Sequence, residues 1–400
     1  MQKTSLAVAK VESRGLAITR VSLSNFRNYN TLRLDLNQAT PSPIVLFGDN
    51  GAGKTNLLEA LSYLSAGRGL RGAKLSEVSS IQSNRPWAVA AHINGKLGQV
   101  DIGTGLGKTV AGYFCETGDG RDKRVVRIDG VNLSGPAGLS DHVSIVWLTP
   151  KMDRLFVEGA SARRKFFDQM TSSFNTNHSK QLSSYERAMR ERVRILTYPN
   201  LEKDPSWIGA LERKMAEHGV AVAAMRLEVL AQLSSHIQMV EDSPFPRAAI
   251  SLEGLLEKGL KEKSALDVEE SFREKLKYLR QEDSLTGRTK IGPHKTDMVV
   301  YHKEKEMPAN FCSTGEQKAL LIGIVLAHGK VIKNIQGSAP IFLMDEVAAH
   351  LDEDRRILLF KELIDLGSQT WLSGTDRELF GFLKNKSEMF EVSAANLSRV

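Results

Sequence analysis

Between the apolar run Pro43-Ile44-Val45-Leu46-Phe47 and the helix-forming run Asn56-Leu57-Leu58-Glu59-Ala60-Leu61 lies the segment Gly48-Asp49-Asn50-Gly51-Ala52-Gly53-Lys54-Thr55. It matches G-x-x-x-x-G-K-[ST] in the strand-to-helix context that this pattern requires. Glycines at these positions let successive backbone N–H groups curl around phosphate oxygens, and the helix that follows presents its positive N-terminus to them. Lys54 supplies a point charge for the β- and γ-phosphates, and Thr55 a hydroxyl for Mg²⁺. Gly48, Asp49, Asn50, Gly51, Ala52, Gly53, Lys54 and Thr55 are therefore the expected nucleotide-binding residues, with ATP or GTP and Mg²⁺ as ligands.

A loop of this kind needs a carboxylate partner. Ile341-Phe342-Leu343-Met344 is an apolar run that ends in Asp345 and Glu346. A buried strand delivering Asp345 to its C-terminal edge can hold Mg²⁺, and Glu346, one residue on, can polarise an attacking water. Upstream, Ser313-Thr314-Gly315-Glu316-Gln317-Lys318 opens the apolar stretch ALLIGIVLAHGKVI. Ser313 is placed to cap a helix there, and the N-terminal N–H groups with Gly315 form a second anion-binding surface.

The rest of the chain reads in blocks. Strand and turn patterns fill the N-terminal part, with an antiparallel β region expected from about 87 to 148, where β-branched runs alternate with Gly-rich turns. From about 151 to 286 the composition turns helical. Leu211, Met215, Val222, Met225, Val229, Leu233, Ile237 and Val240 recur at helical spacing. After Gly292 the pattern returns to α/β. The expected fold is thus an α/β P-loop head with a mixed sheet, an antiparallel β region and an inserted helical domain. The expected division is 1–150, 151–290 for the helical insert, and 291–400.

Composition excludes several alternatives. Apolar residues at 41% and charged residues at 25% argue against wholesale disorder or a fibrous repeat. The longest nearly apolar run, Ala319 to Ala327, has nine residues, about half of the ~20 needed to span hydrocarbon. No transmembrane helix and no signal peptide are expected. Two cysteines, Cys115 and Cys312, make neither a disulfide framework nor a zinc site, so a reducing cytoplasm is the expected location. Cys312 reads as a buried filler beside Ser313.

The order of these motifs, completed by His350-Leu351-Asp352 after the acidic pair, resembles the ABC-type ATPase head. That resemblance implies an ATP-dependent head-to-head homodimer with two sandwiched nucleotides, in which Ser313, Gly315, Gln317 and Asp352 of one copy face the nucleotide held by the other. Within that superfamily, several features resemble the RecF family: Leu23-Ser24-Asn25-Phe26-Arg27-Asn28-Tyr29, the loop itself, Arg163-Arg164-Lys165-Phe166-Phe167-Asp168, Gly292-Pro293-His294-Lys295 and the Glu316-Gln317-Lys318 signature. They span residues 21–376. The chain departs from the family pattern at Thr149-Pro150-Lys151-Met152-Asp153, at Lys295 where the family tends to have Arg, and at Gly374-Thr375-Asp376, where ABC ATPases usually carry a switch histidine.

The resemblance implies a weak, DNA-stimulated ATPase of recombinational repair, replication and the SOS response. ATP would close the dimer on DNA at gaps or single-strand/double-strand junctions, and hydrolysis would release it. RecO and RecR, with RecA downstream, are the implied partners, with no membrane partner. DNA binding independent of sequence is expected from basic clusters, since Lys/Arg can release counterions from phosphates. The candidates are Arg68, Arg71 and Lys74, in a segment similar to the arginine loop of SMC ATPases, and Arg121, Lys123 and Arg124 in the β region. Lys180, Arg187, Arg190, Arg192 and Arg194 form a third cluster, although Glu186 and Glu191 are close enough in sequence to pair with it. A transporter ATPase subunit and an SMC-like structural ATPase are the competing readings. The first lacks the glutamine that couples to a membrane partner, and the second lacks coiled-coil length.

Overall fold

The structure is a computed structural model that describes residues 15–37, 40–80, 83, 85–95, 98–107, 123–198, 205–240 and 243–400. Residues 1–14, Cys115, the Gly-rich turn at 116–120 and Arg121 lie outside the described residues.

Apolar runs that lack alternation make strands buried on both faces, and four such strands form one side of the six-stranded central sheet. Its order is Asn396–Arg399, Glu388–Ser393, Pro43–Phe47, Thr370–Gly374, Ile341–Met344, Ile145–Leu148. Every pairing is parallel except the terminal hairpin. The phosphate loop therefore leaves the sheet two strands away from the acidic pair, at the same edge. One expectation is corrected here: Ile145–Leu148 does not belong to the antiparallel β region. All four of its residues are buried, and this unbroken burial suits the parallel sheet, where the Ser144 carbonyl accepts from the Ile341 N–H at 2.9 Å.

The antiparallel sheet runs in the order Tyr29–Asp35, Ala17–Phe26, Ala88–Gly95, Gly98–Leu106, Arg124–Ile128, Val131–Asn132. It closes over the loop helix Lys54–Ser62, whose Leu57, Leu58 and Leu61 are buried. Phe26 meets Trp87 edge-on at 5.7 Å and Tyr63 at 5.9 Å. The Trp87 indole N–H donates to the Leu75 carbonyl at 2.8 Å, which satisfies the polar end of this buried ring.

The helical stretch holds Ala160–Phe174, His178–Thr197, Pro205–Met239, Leu255–Glu262, Ala265–Tyr278 and Arg280–Thr286. It serves two cores. Phe166, Phe167, Met170, Val229, Leu233 and Ile237 pack with the signature helix Thr314–Gln336. Tyr185, Leu211, Met215, Leu256, Phe272 and Leu276 form a separate core. The purely helical reading of 151–286 is also corrected, because Ala248–Glu253 is a strand. It pairs antiparallel with Asp297–His302, beyond the expected boundary at 290. Its sequence, Ala-Ala-Ile-Ser-Leu-Glu, has no β-rich pattern of its own, and the pairing decides its conformation.

Among the described residues, Thr314–Gln336 is long and apolar enough to cross a membrane by length and composition, contrary to the run-length expectation. In the fold it is a core helix, wedged between the central sheet and the helical stretch. Its His328 is buried, within 3.0 Å of the Ser173 hydroxyl and 5.0 Å of the Phe174 ring. Burial drives its imidazole down from 6.5 to about 4. The folded chain thus binds this proton later than the unfolded chain, so stability is complete above pH 6.5 and falls as pH drops toward 4. The loss is on the order of 3 kcal/mol. Thermal unfolding should show a steeper decline over this window for the unchanged protein than for His328→Gln, and parallel profiles would refute the assignment.

Candidate nucleotide-binding site

The loop's geometry begins with Gly48 and Gly53, at φ of 142° and 123°. A Cβ on Gly48 would come within 2.3 Å of the Val392 carbonyl oxygen, and one on Gly53 within 2.8 Å of the Tyr29 hydroxyl. Both positions therefore exclude any larger residue, for reasons of both conformation and space. Tyr29 and the C-terminal hairpin steady the loop: the Tyr29 hydroxyl donates to the Gly53 carbonyl at 3.2 Å, and the Ala395 N–H to the Ala52 carbonyl at 3.0 Å. Lys54 is buried and arches back over the loop, donating to the carbonyls of Gly48 at 2.6 Å and Asp49 at 2.8 Å. Burial pushes its ammonium down, while the charges of Glu346, Asp345 and Asp49 push it up. That competition places the lysine in the field of the acidic pair. Asn50 and Gly51 are exposed at the loop tip.

Thr55 and Asp345, 290 residues apart, meet at 2.9 Å from hydroxyl to carboxylate. Asp345 is buried and accepts a second hydroxyl, from Ser373, at 2.7 Å. The same Ser373 oxygen accepts the Glu346 N–H at 2.9 Å. Glu346 sits half-buried at φ 52°, in the left-handed region. This turn ends the strand and directs Glu346 away from the line of Asp345. Ser373 was not foreseen. The only hint of it is TWLS as a parallel strand, whose pairing of Leu372 with Met344 brings the next residue opposite Asp345. It stands one residue before Gly374, and Asp376, in the segment without a switch histidine, is exposed and caps the Glu378 N–H.

The signature forms a capping box. Ser313 accepts the Glu316 N–H at 3.4 Å, and Glu316 accepts the Ser313 N–H at 2.9 Å. The Lys305 ammonium, with help from Ser313, holds the Glu316 carboxyl down to about 2. Ser313 and Gly315 are exposed at the helix N-terminus. Gln317 is not: it is buried, and its amide donates to the Cys312 carbonyl at 2.9 Å, which corrects its expected place among nucleotide contacts. Cys312 is buried, its thiol raised by burial. Phe311, unforeseen, stands 73% exposed beside this exposed helix N-terminus. Asp352 is exposed and caps the helix Glu353–Asp365 through the Arg355 N–H at 2.8 Å.

The basic candidates divide sharply. Arg68, Lys74 and Lys123 are exposed. Arg71 is exposed as well, with its guanidinium donating to Asn56 at 2.8 Å and to the buried carboxylate of Glu59 at 2.7 Å. Arg27 forks onto that same carboxylate at 2.7 and 2.9 Å. Arg124 is a correction: it is buried, and desolvation pulls the pKa of its guanidinium down to about 10. Its guanidinium donates to the carbonyls of Tyr63, Ser65 and Gly67 and to the Thr104 hydroxyl, so it fastens the end of the loop helix instead of meeting DNA. Arg192 is likewise buried, against Glu212 at 3.0 Å and Asp283 at 2.6 Å. Arg190 and Arg194 pair with Glu186 and Glu191.

The family model described as RecF/RecN/SMC N terminal domain matches residues 17–394. A protein of Brucella suis biovar 1, named DNA replication and repair protein RecF, is 44% identical over 387 residues, 96% of this chain and 97% of its own length. Its namesake in Rhizobium rhizogenes is 42% identical over 383 residues, 96% and 98% of the two chains. A solved structure of the recombination mediator protein RecF-ATPrS in the RecFOR pathway superposes with a TM-score of 0.83 at 21% identity, covering 97% of this chain and 99% of that one. An Smc head domain from Pyrococcus furiosus superposes at 0.51 and 15% identity, covering 96% of each chain. With the loop, the acidic pair and the signature in one α/β head, and with relatives this similar along nearly its whole length, the chain belongs to the RecF family.

Proposed function

We propose that this protein is an ATP-dependent DNA-binding ATPase of recombinational repair and replication, active as a homodimer. The observation that carries the reading is the Thr55–Asp345 contact at 2.9 Å, which joins the loop and the acidic strand into one oxygen-lined site. Hard oxygen donors of this kind fit Mg²⁺. Thr55 and Asp345 would hold the ion, whose charge offsets that of the β- and γ-phosphates. Lys54 leaves its two loop carbonyls for phosphate oxygens, and Glu346 orients water for in-line attack on the γ-phosphate. Ser373 keeps both acidic residues in place through its single hydroxyl.

One chain has one loop and one signature. The exposed Ser313, Gly315 and Phe311 support a trans arrangement, in which these residues cover the nucleotide of a second copy. Ser313→Arg puts a bulky cation at that face. The expected result is unchanged nucleotide binding with loss of ATP-dependent dimerisation, read by sedimentation with and without ATP; dimerisation like that of the unchanged protein would refute the trans assignment. Arg68, Arg71, Lys74 and Lys123 remain the candidate DNA contacts, to backbone phosphates and independent of sequence. Closure of the dimer on DNA at gaps or junctions, stimulation of hydrolysis by DNA, cooperation with RecO and RecR in loading RecA, and a cytoplasmic location follow from kinship with the RecF proteins. The division of the chain into an ATPase head and a helical insert is part of the same reading.

A further inference from the structure

Among the described residues the strand Ile145–Leu148 is the last of the central sheet and pairs on one side only, with Ile341–Met344. The carbonyls of Ser144 and Leu148 accept from Ile341 and Asp345. By the alternation of a parallel ladder, the N–H and C=O groups of Ile145 and Trp147 then face the other way. They face a cleft. A cavity of about 230 Å³ is bounded by Ser144, Ile145 and Trp147, by the loop after the loop helix, and by the helix Ala160–Phe174. An edge strand is normally blunted or covered; this one, though its residues are buried, borders that cavity with no further strand beside it among the described residues.

Two further features give the cleft a chemistry. The Ser144 hydroxyl is buried and has no hydrogen-bond partner among the described residues. Arg68 and Lys165 line the cavity, with the Lys165 ammonium lying against Gly72 across it. Among the described residues the one carboxylate on the wall, Asp168, is already paired with Arg226 and hydrogen-bonded to His178. The cleft is thus cationic, with an unused hydroxyl and an unused strand edge. A second cavity, of about 330 Å³, shares Ser140, Val143 and Ser144 with it but carries Asp129 and Asp141 on its own wall, so the cationic lining is confined to the first.

We propose that this cleft takes an extended segment of a partner protein, carrying at least one Asp or Glu, which adds to the sheet beside Ile145–Leu148. The segment's backbone pairs with Ile145 and Trp147, its carboxylate lies between Arg68 and Lys165, and the Ser144 hydroxyl joins the ladder at its end. Backbone pairing supplies affinity and the cation pair supplies the preference for an acidic sequence.

The test uses the full chain and a fluorescein-labelled peptide, acetyl-Val-Glu-Val-Glu-Val-amide, followed by anisotropy. Saturable binding is expected. It should weaken about tenfold or more when lysine replaces both glutamates, and equally when alternate amides are N-methylated. Lys165→Gln, which leaves Arg68 in place, should weaken the preference for the acidic over the basic peptide, and Lys165→Glu, which sets a carboxylate against Arg68, should abolish it. Retained binding of a fluorescent ATP analogue by both variants certifies their folding. The proposal is overturned if no saturable binding occurs, or if the N-methylated peptide binds as well as its parent. Displacement of the peptide by a decathymidylate that itself binds in a Lys165-dependent way would also overturn it, since the cleft would then belong to nucleic acid.

Discussion

Glu346→Gln should lower ATP turnover by about a hundredfold or more, the range over which a positioned proton-accepting group acts, while leaving nucleotide affinity nearly unchanged. The amide fills the same space at the end of the strand, and the Glu346 N–H still meets Ser373, so the left-handed turn survives. What is lost is the negative charge that orients water. The nucleotide is then held longer, and the ATP-bound dimer should persist in sedimentation where the unchanged protein returns to monomer. Steady-state phosphate release and sedimentation at saturating ATP with DNA read both effects. If the variant turns over ATP at the unchanged rate, the assignment of Glu346 fails. If it sediments as a monomer, the two-copy site fails instead.

The largest effect on stability is expected at Arg226, on the helix Pro205–Met239. Its guanidinium is buried and forks onto Asp168 at 2.8 and 2.9 Å, reaches Glu257 at 3.2 Å, and donates to the Pro293 carbonyl at 2.8 Å. Burial works against the Asp168 carboxylate, yet the hydrogen bond from His178 and the charge of Arg226 win, and it stays below its usual range. Arg226→Met would leave two buried carboxylates without their common partner, at about 3–5 kcal/mol. Urea denaturation should show that loss as a lowered midpoint. Arg226→Lys should recover only part of it, because an ammonium cannot make the forked pair. A change under about 1 kcal/mol would mean that the two acids find other partners or take up protons at little cost.

This arginine also explains why two separated family motifs matter. Asp168 closes the Arg-Arg-Lys-Phe-Phe-Asp run and Pro293 belongs to the Gly-Pro-His-Lys turn, and Arg226 binds both. His294 of that turn meets the Tyr185 hydroxyl at 2.7 Å. Arg163 pairs with Asp297 at 2.7 and 2.8 Å. The motifs are therefore joints between the helical stretch and the strands that follow it. Sequence alone offered no physical role for them.

The nucleotide site was legible because it is local chemistry. A phosphate loop needs glycines at positive φ before a helix, a metal-binding acid needs an apolar strand behind it, and a capping box needs Ser and Glu three residues apart. Each requirement is written in a few consecutive residues, so Gly48, Gly53, Lys54, Asp345 and Ser313 could be named in advance. The central strands were legible for the same reason, as unbroken apolar runs. What linear order could not tell was which distant group stands beside which. Arg124 and Arg192 carry the charge of DNA contacts, but a buried carbonyl cluster or carboxylate pair claims each of them. Ser373 has no motif at all, and only strand pairing sets it against Asp345. Strand Ala248–Glu253 lacks intrinsic β character, and Ile145–Leu148 could have joined either sheet, so long-range pairing decided both. Local backbone demands and short-range caps are thus encoded residue by residue, whereas the partner of a charge and the neighbour of a strand emerge only when the chain closes on itself, because burial, not sequence distance, determines which interactions survive competition with water.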